Sequence, residues 1–99
     1  MSITHTVVLR LSHAAGSAAE ADFLAAAQSS LSTLPGVLDF TVSRQVSNNP
    51  EMAHQISLRV EDQQRYDAFK VDPIHRSFVA ERFLPEVAAY QEYDFVAFA

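Results

Sequence analysis

The chain has 99 residues, and its seven basic and twelve acidic side chains give a formal net charge of −5, which fits one domain over residues 1–99. The acidic balance argues against nucleic acid or an anionic membrane as a partner, and the lack of cysteine excludes disulfides, thiolate catalysis and Cys-ligated zinc. The sequence holds no signal-peptide core and no apolar stretch that could span a membrane, so we expect a cytoplasmic protein.

The first elements predicted are a strand and a helix. Apolar side chains occupy every second position over residues 3–11, with His5 among them, which is the period of a half-buried strand. Ser17 and Glu20 have the spacing of a capping box, which predicts that a helix begins there. The helix is rich in alanine, and a Pro-Gly pair at 35–36 ends it.

Alternating apolar residues predict two further strands, over residues 38–43 and 54–60. The apolar residues of the first of these strands, beginning with Leu38, are expected to share one face. The sequence Ser-Asn-Asn-Pro at 47–50 has strong turn chemistry and connects the two strands.

The last third of the chain predicts helical segments and a final strand. Asp62 is placed to cap a helix, and Asp72 with Pro73 ends that helix and begins another. A Leu-Pro pair at 84–85 interrupts the new helix, and the aromatic-rich segment 90–98 predicts a strand.

This order of elements predicts an α+β fold, the ferredoxin-like βαββαβ arrangement with a four-stranded antiparallel sheet in the strand order 4-1-3-2. The helices of that fold cover one face of the sheet. The other face is expected to carry Val8, Val37 and one parity of the aromatic last strand. Because an uncovered apolar face needs a partner, we expect a homodimer in which two sheets pack face to face.

The histidines are the main candidates for chemistry. His5 interrupts the apolar side of the first strand, and His75 shares a helix stripe with Phe78, so both are expected to point into the interior. Two imidazoles around one cavity can move a proton or orient a substrate carbonyl. The alternative is that each imidazole only satisfies a buried hydrogen bond.

The other two histidines are weaker candidates. His54 shares the apolar side of its strand, but antiparallel pairing places it at the opposite end from His5. His13 lies in a loop and is expected to be solvated. The spacings HxH, HxxxH and HExxH do not occur in the sequence, so no metal site is predicted.

Asp94 lies in the last strand, which is expected to run antiparallel beside the first strand. A carboxylate at this position can hold an imidazole by its far nitrogen, as carboxylates commonly do. The alternative is a solvated charge on an edge strand, where it would discourage aggregation.

Three features of the sequence together resemble one family. They are His5 in the first strand, the Leu-Pro-Gly-Val segment at 34–37 and the segment 66–75, which ends in Pro-Ile-His. They resemble the stress-responsive dimeric α/β-barrel (Dabb) family, and the resemblance covers nearly the whole chain. It implies the βαββαβ order and a homodimer whose sheets face each other as a dimeric α/β barrel.

The chain is also distantly similar to a plant member of that family, a cyclase that forms olivetolic acid by a cofactor-free aldol reaction. This resemblance implies that His75 is the general base and that His5 and Asp94 lie around the same pocket. His54 also matches a histidine of that cyclase. Phe69 stands where the cyclase has its catalytic tyrosine, so the hydroxyl donor of that enzyme is missing at this position. Tyr66, one turn earlier in the helix, is the candidate substitute, although its hydroxyl is expected at a different height.

Three hypotheses for the function follow. The first is a stress-associated protein that binds a small apolar or carbonyl-bearing molecule between sheet and helices. The second is a cofactor-free polyketide cyclase or aldolase-like enzyme with His75 as the base. The third is a haem-degrading or other monooxygenase, in which His75 would be the axial ligand of a haem. Apart from that case, no cofactor is expected. The residues predicted to line the pocket are Val7, Leu9, Phe23, Leu24, Phe40, Ile56, Phe69, Phe78 and Val79.

Overall fold

The sequence folds into the predicted ferredoxin-like βαββαβ arrangement. The computed structural model describes residues 1–48 and 51–99, so the second half of the predicted turn, Asn49-Pro50, lies outside the described residues. Among the described residues, no helix has the length and apolarity needed to cross a membrane. The elements are β1 (Ile3–Leu11), α1 (Ala18–Leu31), β2 (Leu38–Arg44), β3 (His54–Val60), α2 (Gln63–Val71), α3 (Pro73–Phe78), a π-helical turn (Val79–Phe83), α4 (Leu84–Glu86) and β4 (Val87–Phe95).

The four strands form one antiparallel sheet in the order β2-β3-β1-β4, as predicted. Leu9 of the central strand β1 is fully buried, as is Phe23 of α1. The ring of Phe23 packs against the ring of Phe78 in α3, with 5.6 Å between centroids. The core therefore lies between the helices and one face of the sheet.

Side-chain caps fix where the helices begin. The Ser17 hydroxyl accepts a hydrogen bond from the backbone N–H of Glu20 at 3.2 Å, and the Glu20 carboxylate accepts one from the N–H of Gly16 at 3.0 Å. The Asp72 carboxylate accepts from the N–H of Ile74 at 2.8 Å. Because these N–H groups have no partner within the helix, the caps stabilise helix starts at the predicted positions.

A β-bulge in β2 changes the pattern predicted for this strand. Asp39 has a φ of 52°, and the register with β3 shifts between Leu38 and Thr41. Leu38 therefore pairs with Arg59 and lies on the sheet face without helices, so the prediction that it shares a face with the strand's other apolar residues is wrong. A bulge adds one residue to a strand and reverses its alternation. Val37, expected on the uncovered face, packs against the core instead.

The last strand begins and ends earlier than predicted. β4 starts at Val87, and residues 96–98 follow it outside the sheet. The chain reaches β4 through the π-helical turn, in which the N–H of Leu84 bonds to the carbonyl of Val79. Pro85 lies at the start of α4, where its missing N–H costs no hydrogen bond, so the Leu-Pro pair does not stop the helical segment as predicted. The segment ends after Glu86, where Val87 takes an extended backbone.

The register of β4 decides which aromatic residues lie on the uncovered face. Tyr93 pairs with Thr6 and Phe95 pairs with Thr4, so both rings point away from the helices. They are 44% and 54% exposed and stack on each other, with 5.9 Å between centroids. Thr6 bonds to Ser57 at 3.1 Å on the same face. The uncovered face therefore combines a polar centre with two exposed aromatic rings at its β4 edge.

Candidate functional site

A cavity of about 200 Å³ lies between the helices and the covered face of the sheet. Its walls are mostly apolar, and its polar side chains are those of His5, His75, Tyr90 and Glu92. Leu84 and Tyr90 are exposed as well as lining the cavity, so its mouth lies where the helical segment meets β4.

The structure places five of the nine predicted lining residues in the cavity wall: Val7, Ile56, Phe69, Phe78 and Val79. Four others lie outside it: Leu9, Phe23, Leu24 and Phe40. The first two of these are fully buried, and the other two pack against the core while partly exposed. Their side chains belong to the packed core, and the void remains on the side of α3 and the π-helical turn.

His5 is held at the edge of the cavity by Asp94 and Tyr66. Because His5 and Asp94 are paired across β1 and β4, their side chains lie on the same face. His5 Nδ1 lies 2.7 Å from Asp94 Oδ1, and the Tyr66 hydroxyl lies 2.8 Å from the same oxygen. The Tyr66 hydroxyl also lies 3.0 Å from His5 Nδ1. The structure therefore supports the interpretation of Asp94 as an imidazole partner over that of a solvated charge.

The pKa values and the hydrogen-bonding capacity of these groups indicate which atoms of the cluster carry protons. Burial acts to raise the pKa of Asp94, but hydrogen bonds from His5 and Tyr66 and the charges of His5 and Lys70 together hold that pKa below its ordinary value. Burial and the hydrogen bond to Asp94 raise the pKa of Tyr66. An ionised Asp94 only accepts, so Nδ1–H of His5 and O–H of Tyr66 both donate to it. This assignment leaves Nε2 as the His5 nitrogen for a ligand.

His75 lies against Phe69, with 4.4 Å between ring centroids, and lines the same cavity. Its Nδ1 lies 3.4 Å from the carbonyl oxygen of Lys70, a weak hydrogen bond in which the ring must be the donor. Burial lowers the pKa of His75, and the charge of His5 acts in the same direction, against smaller opposing effects of Lys70, Asp72 and Glu92. Burial therefore favours the neutral form of His75, and with Nδ1 as the donor its Nε2 can accept a proton.

His54 does not belong to this site. It pairs with Leu9 in β1, whereas His5 pairs with Leu58, so the two histidines lie four residues apart along the sheet. His54 is buried, and its Nε2 lies 3.9 Å from the Glu20 carboxylate. The prediction that it lies at the opposite end from His5 agrees with this register.

His13 is half-buried and bonded, so the prediction that it is solvated is wrong. Its Nε2 lies 2.7 Å from the carboxylate of Glu86, which also accepts from Arg82. Arg82 also donates a hydrogen bond to the carboxylate of Asp22 in α1, at 2.8 Å. The hydrogen bond from Arg82, together with that from His13, overcomes burial and holds the pKa of Glu86 below its ordinary value. This network fastens the helical segment before β4 to α1 and to the loop after β1.

The described residues do not bring together the ligand set of a metal ion. Within residues 1–48 and 51–99, no three His, Asp or Glu side chains converge as ligands of a metal ion. A cavity of about 150 Å³ holds benzene, so the cavity beside His75, at about 200 Å³, has room for a monocyclic molecule, and a porphyrin would have to extend through its mouth.

Two features of the site were not predicted from the sequence. The hydrogen bond of Tyr66 to Asp94 is one, because it depends on the β1–β4 register that brings Asp94 within reach of the hydroxyl. Glu92 is the other: it was not predicted as a site residue, although its pairing with Val7 places it on the covered face. The sequence contained the information needed to place Glu92. Glu92 and Asp94 are two residues apart in the predicted strand, so if Asp94 faces the site, Glu92 faces it too.

Comparisons with known proteins identify chains of the same kind. A family model described as the stress responsive A/B barrel domain matches residues 3–97. A Dabb family protein from Mesorhizobium loti, with a ferredoxin-like fold, is 37% identical over 99% of this chain and 98% of its own, with a TM-score of 0.96. No curated protein sequence matches the chain.

Several similar structures carry the name of an activity, among them a lyase and an oxygenase. Hydroxynitrile lyase from Passiflora edulis is 12% identical, with a TM-score of 0.84 over 99% of this chain and 95% of its own. A mutant of a cofactor-independent oxygenase from Streptomyces nogalater is 15% identical, with a TM-score of 0.73 over 99% of this chain and 94% of its own. At these identities the likeness shows the fold alone.

The lowered pKa of His75 predicts how stability changes with pH. The unfolded chain takes up a proton on His75 near pH 6.5, whereas the folded chain does so only at lower pH. As the pH falls through 6.5, protonation therefore favours the unfolded state, and the free energy of unfolding decreases. We expect wild type to lose more stability between pH 7 and pH 5 than His75→Gln, measured by urea denaturation.

The matched control for this measurement is His13→Gln, which removes a histidine outside the cavity. Imidazole NMR gives the independent check, with a His75 midpoint below the ordinary value of about 6.5. A midpoint above that value would contradict the neutral assignment and the role as a base.

Proposed function

The chain belongs to the stress-responsive A/B barrel domain family, and from that premise we propose that its cavity binds a small, mostly apolar molecule that carries a carbonyl group. The observation that carries the proposal is an apolar cavity whose wall presents two imidazoles, those of His5 and His75. Apolar walls favour an apolar body, and a few placed polar groups fix its orientation.

The size of the cavity limits the ligand. At about 200 Å³ it matches an aromatic ring with a short substituent. The exposed residues at its mouth, Leu84 and Tyr90, leave room for such a molecule to enter along the start of β4. A long polyketide chain would have to extend through that mouth into water.

Filling the cavity tests this proposal. Val79 is half-buried in the cavity wall, and Val79→Phe adds volume where the ligand would lie. Acetophenone, titrated by calorimetry, is expected to bind wild type and to bind Val79→Phe at least about tenfold more weakly, a difference of about 1.4 kcal/mol.

The matched control is Val71→Phe, the same change at an exposed valine of α2 outside the cavity wall. It should leave the affinity for acetophenone unchanged. Equal affinity in the wild type and Val79→Phe would show that the probe binds elsewhere.

The arrangement of the two histidines supports a second candidate, a cofactor-free enzyme that moves a proton next to a carbonyl group. His75 is neutral and offers Nε2 as an acceptor, while His5 is fixed through Nδ1 by Asp94 and offers its own Nε2. The lyase and the cofactor-independent oxygenase that share the fold are consistent with chemistry of this kind.

The proposed step is an enolisation. His75 Nε2 takes the proton from the carbon beside the carbonyl group, and the electron pair of that C–H bond forms a carbon–carbon double bond. The carbonyl π pair moves to oxygen, which receives a proton from Nε2–H of His5. Before the transfer His5 carries protons on both ring nitrogens, and the Asp94 carboxylate stabilises this form. Tyr66 in turn donates a hydrogen bond to the Asp94 carboxylate. The reverse step returns a solvent proton to carbon.

Deuterium exchange measures this step without knowledge of the natural substrate. We expect the methyl protons of acetophenone to exchange with D₂O faster in the presence of the protein than in buffer alone. Proton NMR measures the rate of this exchange. Removal of the base in His75→Gln should slow the exchange by a factor of about 10²–10⁴, as for other positioned bases.

His13→Gln is the control, because His13 lies outside the cavity wall. If the wild type binds acetophenone but the exchange rate equals that in buffer, the protein binds ligands without catalysing this step, and the enzyme candidate is excluded. Equal exchange by wild type and His75→Gln would remove His75 from the role of base.

We also propose that the chain forms a homodimer through the uncovered sheet face. Tyr93 and Phe95 expose aromatic rings there, and the hydroxyl groups of Thr6 and Ser57 lie at its centre. Other ferredoxin-like proteins of this fold are dimeric, including one from Thermobifida fusca. A stable pair of this kind would bury roughly 800 Å² on each partner.

Light scattering after gel filtration tests the dimer. Wild type is expected to have twice the mass of the 11.0 kDa chain. The double change Tyr93→Asp and Phe95→Asp should shift it to a monomer at micromolar concentration, because two buried charges would face their copies across the interface.

The control Tyr90→Asp lies in the same strand on the opposite face. It should leave the mass unchanged. A monomeric wild type would contradict the assignment of this face to a second copy.

A further inference from the structure

Glu92 places a carboxylate in the wall of the cavity. It pairs with Val7 across β1 and β4, which gives it the same sheet face as His5 and Asp94. Its side chain lines the cavity, is exposed, and makes no hydrogen bond or ion pair with any residue that the structure describes. Glu92 therefore offers two acceptor oxygens to a bound molecule without first giving up a protein partner.

The other charges of the cavity do not neutralise Glu92. Burial keeps His75 in its neutral form by lowering its pKa. Any charge on His5 is balanced by Asp94, whose carboxylate lies 2.7 Å from its ring nitrogen. None of the lining residues in the described part of the chain is lysine or arginine. The cavity therefore carries one uncompensated negative charge.

We propose that Glu92 selects the ligand by charge: the cavity takes a neutral molecule that presents a hydrogen-bond donor, such as a hydroxyl or amide, and rejects carboxylates and phosphates. This inference rests on the proposed function and names its ligand class. A donor on the ligand forms a charge-assisted hydrogen bond with the carboxylate. An anion would meet a like charge in a partly apolar cavity, where screening by water is incomplete.

The test uses two probes of nearly the same shape, 4-acetylbenzamide and 4-acetylbenzoate. Both keep the acetyl group that the imidazoles would contact, and only the second is charged. Calorimetry at low salt is expected to show 4-acetylbenzamide binding to wild type at least about tenfold more tightly than 4-acetylbenzoate. In Glu92→Gln the preference should shrink to less than about threefold, chiefly because the anion binds more tightly.

Glu61→Gln is the matched control, the same change at an exposed glutamate outside the cavity wall. It should retain the preference of wild type. High salt gives a second readout: at 1 M, where the screening length is about 3 Å, the preference should fall in wild type and stay constant in Glu92→Gln.

The outcomes separate this inference from the proposed function. If both probes bind wild type and Glu92→Gln equally well, the cavity binds ligands and the selection by Glu92 is overturned. If neither probe nor acetophenone binds any variant, the proposed function is overturned, and this inference with it. A preference for the neutral probe that Glu92→Gln leaves unchanged would also overturn the role of Glu92.

Discussion

The hydrogen bond between His5 and Asp94 is the interaction on which the candidate site depends. The two residues lie near opposite ends of the sequence, and only the antiparallel register of β1 and β4 makes them direct neighbours. Because paired residues share a sheet face, their side chains meet at 2.7 Å, and Tyr66 of α2 donates to the same oxygen. One carboxylate thereby orients the imidazole, selects its tautomer and joins a helix to two strands at the edge of an apolar cavity.

The period of two along these strands separates the cavity-lining residues from those on the uncovered face of the sheet. In β1, His5 and Val7 line the cavity, whereas Thr4 and Thr6 lie on the face without helices. In β4, Glu92 and Tyr93 are adjacent in sequence and lie on opposite faces. The proposed ligand cavity and the proposed contact between copies therefore use alternate residues of the same strands. The network of Arg82 with Asp22 and Glu86 holds the helical segment that closes the cavity on its remaining side.

The sequence predicts most of the fold because local signals agree with it. Capping by Ser17 and Asp72 and strict alternation over β1 and β3 depend on neighbours in the chain, so they can be interpreted without tertiary structure. Leu38 was placed on the wrong face because a bulge at Asp39 reverses the alternation, and a positive φ at aspartate leaves little trace in a single sequence. The cavity could be predicted only in part: its position depends on which large side chains fill the core, and Phe23 fills the space beneath α1 completely. Tyr66 needed the β1–β4 register, which no local pattern contains.

The two imidazoles of the cavity have different partners, and this difference allows different roles in proton transfer. His75 lies against the ring of Phe69 and has only a weak bond to a backbone carbonyl, so burial dominates and keeps it a neutral acceptor. His5 is held by a carboxylate at Nδ1, which leaves Nε2 as its nitrogen for a ligand, and the proposed step uses that nitrogen as the donor. Proton transfer at a carbonyl group needs one group of each kind at the same pH. Phe69 carries no hydroxyl, so in the proposed reaction the donor must be His5. In that proposal the Asp94–Tyr66 pair behind His5 holds the donor in place, in the role that a hydroxyl at position 69 would otherwise have.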